Sequence, residues 1–132
     1  MTLLDTNVMI QYLKGDPAIV ARIQNGPRGE LAIPAIVVYE LEYGTLRSNF
    51  PSRRRRELEA GLEHIQHVPF DSAAAKAAAG IRVELEKRGK AIGPLDVLIA
   101  GTAISRAATL VTNNASEFSR VPGLRVVDWK SA

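Results

Sequence analysis

The chain has no cysteine, so disulfides and thiolate metal sites are excluded outright. A reducing cytoplasm is the expected compartment. No apolar run approaches the roughly 18 residues of a membrane span. The apolar N-terminal stretch is short, lacks a basic leader and is interrupted by Asp5, so no signal peptide is expected. Neither G-x-G-x-x-G nor a P-loop is present, which leaves nucleotide binding without its usual phosphate cradle. His64 and His67 are the two histidines, and they lack the spacing of a ligand pair. They read as surface or strand-end residues. Internal repeats, low-complexity tails and linkers are also missing.

What is there suits one ordinary domain. The 132 residues can bury one core, and 46% apolar with 23% charged residues is typical of globular chains. A single domain spanning residues 1–132 is expected. The net charge is +3, with Arg53 to Arg56 in one run, so anionic partners are plausible.

Short apolar segments alternate with helical ones. Strands are expected at Thr2 to Leu4, Leu31 to Ile33, Gln66 to Phe70, Thr109 to Thr112 and Arg125 to Asp128. "DTN" opens a helix to about Lys14, and Asp16-Pro17 caps and starts another. Asn25 to Gly29 is turn chemistry. Pro34 opens a helix to about Leu46. Phe50-Pro51-Ser52 is a break, with Ser52 capping a helix from Arg53 to His64. Asp71 caps an Ala-rich helix ending near Gly89, and Gly93-Pro94 starts one to about Ala107. Such alternation implies crossover connections and an α/β fold with a parallel sheet covered on both faces.

Most acids have plain explanations. Asp16 and Asp71 sit where caps belong. Glu57, Glu59, Glu63, Glu84 and Glu86 lie among basic residues on helices. Three acids resist this treatment. Asp5 stands between two leucines and Val8, Met9 and Ile10, with a helix cap as its plain role. Glu40 shares a helical face with Ile36, Val37, Tyr43 and Gly44, which points it inward, while Glu42 is rotated away toward solvent. Asp96 suits the macrodipole near its helix start, yet Ile99, Ala100 and Ala103 share its face. In open α/β sheets, sites form beyond the carboxyl ends of strands. Carboxylates gathered there repel one another unless cations neutralise them, and oxygen-only clusters suit Mg²⁺ or Mn²⁺.

The blocks "LLDTNVMI", "AIVVYELEYG", "IGPLDVLIAGTAI" and "LVTNNASEFSRVPGLRVVDW" resemble the PIN-domain ribonucleases. More narrowly, they resemble VapC toxins of bacterial toxin–antitoxin pairs. The resemblance runs from Leu3 to Trp129, in order and with matching spacing. It implies a three-layer α/β/α fold with a central, mainly parallel five-stranded sheet. It also implies a Mg²⁺- or Mn²⁺-dependent endoribonuclease that cleaves a structured RNA such as tRNA. Asp5, Glu40 and Asp96 fall on the family's catalytic and metal-binding acids, with Gly44 completing the E-x-x-x-G block. Many members place an Asp after the "LVT" strand. This chain has Asn113 and Asn114 there, with Glu117 further on. The fourth catalytic position is thus Glu117, an Asn carbonyl or a held water, and a second ion depends on it.

The chemistry implied is hydrolysis of a phosphodiester by a metal-activated water, leaving a 3′-hydroxyl and a 5′-phosphate. Thr6, Asn7, Thr112, Asn113 and Asn114 are expected to orient the water or the acids. If the four acids are neutralised by ions, the net charge becomes more positive and phosphate binding gains credibility. Arg53 to Arg56 oppose the macrodipole of their own helix, and Arg53–Glu57 and Arg55–Glu59 run in the weaker order. The run is therefore expected to contact RNA phosphates, with a plain solvated helix face as the alternative. Family membership further implies a VapB-type antitoxin, a homodimer and no membrane. Tyr39, Tyr43, Leu46 and Phe50 could meet that antitoxin, although core packing is the simpler role for most of them. Two rival readings stand beside this one. A non-catalytic RNA- or protein-binding domain would have lost an acid. An aspartyl-phosphate phosphotransfer domain would show a second Asp beside Asp5 and a Lys after a later strand.

Overall fold

The computed structural model describes residues 1–27 and 29–130. Arg28, inside the expected Asn25–Gly29 turn, lies outside the described residues. The order is β1 (Thr2–Leu4), α1 (Thr6–Leu13), α2 (Pro17–Asn25), β2 (Leu31–Pro34), α3 (Ala35–Leu46), α4 (Pro51–Leu62) and β3 (Gln66–Val68). α5 (Ser72–Lys87), α6 (Pro94–Ser105), β4 (Thr109–Val111), α7 (Ala115–Phe118) and β5 (Arg125–Val127) follow.

The five strands pair in the order β3-β2-β1-β4-β5, and every pairing is parallel. The inner strands are short apolar runs: Leu3, Leu4, Ala32, Ile33, Leu110 and Val111 are all buried. Such continuous apolar segments are what a sheet covered on both faces requires. Gln66, His67 and Arg125 fall on the outer strands and are exposed, which discourages pairing with another chain.

From β1 the chain moves outward through β2 to β3, then returns to β4 and continues to β5. Right-handed crossovers therefore place α1 to α4 on one face and α5 to α7 on the other. The connections diverge between β1 and β4. That divergence opens a crevice at the carboxyl ends of these two strands. On the second face, α5 and α6 pack almost backbone to backbone. A Cβ added at Gly101 would stand 2.6 Å from Ala78 Cβ and 2.8 Å from the Ala74 carbonyl oxygen. This close approach fixes α6, whose first turn carries Asp96.

Several expectations need correction. Ser52 does not cap α4; Phe50 holds the cap position and Pro51 the first turn. Proline's fixed φ and missing N–H suit the first helical position. The polar stretch after β4 contains α7 rather than only a turn. Tyr39, Tyr43, Leu46 and Phe50 are not core residues: they are 57%, 56%, 65% and 63% exposed. α3 buries Val37, Leu41 and Thr45 instead, and apolar residues occur on all sides of that helix, so composition could not single out the inward face.

Candidate functional site

Asp5 follows β1 and forms the N-cap of α1. Its Oδ1 accepts from the Thr6 N–H at 2.8 Å. Its Oδ2 accepts from Thr112 Oγ1 at 2.7 Å. Thr112 follows β4, so this buried bond joins the carboxyl ends of two neighbouring strands whose connections diverge. Only 4% of Asp5 is exposed. Burial pushes its carboxyl up, the Thr112 and Thr6 bonds oppose that, and the Glu117 charge adds to it. The plain cap role and the buried, strand-end placement therefore both apply.

Thr112 spends its one hydroxyl proton on Asp5, and its oxygen accepts from the Asn114 N–H at 3.0 Å. The Asn114 side-chain amide donates to Glu117 Oε2. Glu117 Oε1 accepts from the Gly93 N–H at 2.9 Å. These neutral donors, Gly93 first, hold the Glu117 carboxyl below its usual range. The Asp96 and Glu117 carboxylates both lie beside Gly93, close enough to act on each other's charge. One bonded chain thus links Asp5, Thr112, Asn114, Glu117 and the Gly93 N–H at the start of α6.

Asp96 is raised to about 6, first by burial and then by the charges of Asp5, Glu117 and Glu40. Glu40 Oε1 accepts from Thr6 Oγ1 at 2.9 Å, which joins α3 to the group. Glu40 lies on the rim rather than on a fully buried face. Val37 is buried, but Tyr43 and Gly44 are exposed. The four acids foreseen from the sequence come from segments far apart in the chain and lie near enough for Asp96 to feel the charges of the other three.

The orienting residues divide. Thr6, Thr112 and Asn114 hold carboxylates. Asn7 is exposed and adds no side-chain bond to the group, among the described residues. Asn113 is half-buried, and its Oδ1 is buried with no hydrogen-bond partner. Sequence reasoning missed the Gly93 N–H, because a backbone donor leaves no trace in residue identity. The Gly-Pro helix start was its one visible signal.

The arginine run lies apart, on α4. Arg53 and Arg54 both pair with Glu57, at 3.1 and 3.2 Å. Arg55 pairs not with Glu59 but with Glu42 of α3, at 2.7 Å. The helical hairpin brings Glu42 within reach, so Glu42 is engaged rather than simply solvated. Arg56 is exposed. His64 and His67 are exposed and away from the acids, as expected.

A divalent cation fits this group by charge and by donor type. The carboxylates supply oxygen only, and their mutual repulsion is relieved by a cation. Among the described residues, no group of three or more His, Asp or Glu side chains is placed so that it could hold a metal ion, so the fit rests on charge and donor type and not on ligand geometry. Glu40 and Glu117 are each committed to neutral donors. No helix among the described residues is long and apolar enough to cross a membrane.

The sequence profile of the PIN domain family matches residues 2–124. A tRNA(fMet)-specific endonuclease VapC of Shigella flexneri is 41% identical over 127 residues, covering 96% of each chain. Among solved structures, VapBC2 of Rickettsia felis bound to a promoter DNA fragment contains a chain of similar fold. Its TM-score is 0.92 at 32% identity, over 97% of this chain and 98% of that one. The DNA-bound VapBC of Salmonella typhimurium also gives 0.92, at 37% identity over 97% of both chains.

Proposed function

The chain belongs to the PIN-domain family, in its VapC branch, and from that premise we propose that it is a metal-dependent endoribonuclease, the toxin of a toxin–antitoxin pair. Its substrate is a structured RNA such as tRNA, in keeping with the tRNA(fMet)-specific relative. The observation that carries the reading is the group of acids at the β1/β4 crevice, with buried Asp5 held by Thr6 and Thr112 and Glu117 held by Gly93 and Asn114. Residues 1–132 act as one such domain, in the cytoplasm.

Asp5 and Asp96 would hold Mg²⁺ or Mn²⁺, with Glu40 and Glu117 beside them. Such an ion supplies activation of a water and neutralisation of phosphate charge. Thr6 and Thr112 keep the Asp5 oxygens in one orientation. Glu117, held by Gly93 and Asn114, takes the fourth position; Asn114 serves as its support rather than as a ligand. Burial and the neighbouring carboxylates raise Asp96 in the ion-free protein, and a bound cation would relieve that repulsion and hold Asp96 deprotonated. Arg53 to Arg56 are retained as a supporting RNA contact, led by exposed Arg56.

The antitoxin would cover Tyr39, Tyr43 and Leu46, which form an i, i+4, i+7 stripe on α3, with Phe50 beside them. That stripe shares its helix with Glu40, so a bound peptide would reach the acids. The relatives solved as VapBC complexes support an antitoxin partner; a homodimeric toxin is proposed from the family resemblance alone.

Incubation of the purified chain with tRNA in Mg²⁺, Mn²⁺ or EDTA tests the reading, beside Asp5→Asn and Asp96→Asn. Cleavage only with metal, and lost in both variants, is expected. EDTA-resistant cleavage, or equal activity in the variants, would sink it.

A further inference from the structure

Arg120 lies one turn beyond Glu117, and its N–H donates to the Glu117 carbonyl at 3.1 Å. Its side chain reaches the segment before α6, where Nη1 donates to the Ala91 carbonyl at 3.2 Å. Two residues later, Gly93 donates to the Glu117 side chain. The guanidinium is thereby anchored beside the acids, close enough for Glu117 to feel its charge.

Its partner sets it apart from other arginines. Arg53, Arg54, Arg55, Arg82, Arg88 and Arg106 each lie against a carboxylate. Arg22 and Arg47 lie over aromatic rings. A carbonyl acceptor fixes Arg120 without cancelling its charge. That contact occupies one of about five N–H donors on a guanidinium. The residue is also exposed. A phosphodiester approaching four carboxylates meets like charge. A fixed cation on the rim offsets that repulsion, and the planar guanidinium fork matches phosphate oxygens.

We propose that Arg120 binds a phosphate of the RNA backbone beside the acid group and so sets the register of the strand at the cleavage point. This rests on the ribonuclease reading above. Labelled tRNA(fMet) is titrated in Mg²⁺ against the Asp96→Asn chain at several salt concentrations. The same measurement is made with Arg120→Gln or Arg120→Lys added. Arg120→Gln is expected to weaken binding roughly tenfold and to flatten the slope of log Kd against log salt by about 0.7–0.9. Arg120→Lys, which keeps the charge, is expected to keep most of the slope and controls for misfolding. Unchanged affinity and slope in Arg120→Gln would overturn the assignment alone. Equal losses in both variants would also overturn it, and would mark Arg120 as a pin for the Ala91 segment. If the parent chain does not cleave tRNA(fMet) in Mg²⁺ and the Asp96→Asn chain does not bind it, the ribonuclease reading fails first and this inference falls with it.

Discussion

Two parts of this molecule concentrate charge, and they satisfy it in opposite ways. On α4, Arg53 to Arg55 are exposed or half-exposed and paired with Glu57 and Glu42. At the β1/β4 crevice, carboxylates stand near one another and are held by threonine, asparagine and backbone N–H donors. Opposite charges paired in water contribute little and ask for nothing further. Like charges gathered with neutral donors retain a repulsion that a cation would relieve. The difference separates a solvated helix from a site better than charge density does.

Changing an acid gives the largest expected effect. Asp5→Asn or Asp96→Asn should lower tRNA cleavage by roughly 10²–10⁴-fold while leaving the fold intact. Gel-based cleavage rates and circular dichroism check both halves. Thr112→Val comes next. It removes the donor to buried Asp5 Oδ2, which should cost about 1–3 kcal/mol of stability in urea unfolding. Activity should fall roughly 10–100-fold, the range for losing support behind a ligand.

The pH dependence sharpens the same contrast. Asp96 has a raised folded-state pKa, so without metal its contribution to stability is full below about 3.8, the ordinary carboxyl value, and is lost as pH rises through about 6. Asp96→Asn removes that loss. Metal-free melting of Asp96→Asn should therefore occur above that of the parent chain at pH 7, and the gap should close toward pH 4. Mg²⁺ should raise the parent's melting temperature and leave the variant nearly unmoved. A parent insensitive to Mg²⁺ would argue against the cation.

The α4 charges should respond least. Glu42→Gln, which breaks an exposed pair with Arg55, should change stability by under about 1 kcal/mol. Replacing Arg53 to Arg56 by Ser should weaken RNA binding modestly. An unchanged salt dependence would remove the run from the RNA interface.

Much of this was legible in the residues. The inner strands announce themselves as three- or four-residue apolar runs, and Asp16 and Asp71 cap helices as expected. Asp5, Glu40 and Asp96 stood out because each lay among apolar neighbours, and Glu117 from the motif that carries it. Other features were hidden for identifiable reasons. α7 is only four residues long, too short for a periodic pattern. α3 is apolar on nearly every side, so its exposed aromatic stripe could not be told from its core face. Arg55 chose Glu42 over Glu59 because the turn between α3 and α4 sets that distance.

By itself, the sequence determined the alternation of strand and helix, the parallel sheet and which three acids, Asp5, Glu40 and Asp96, stand among apolar neighbours. Those follow from local pattern and from the cost of burying charge. Only the tertiary structure decided how the acids are joined. The Asp5–Thr112 bond links residues 107 apart, and the Gly93–Glu117 bond joins α7 to the start of α6. Such partners are chosen by where strands diverge and helices dock, and that choice leaves no local mark along the chain.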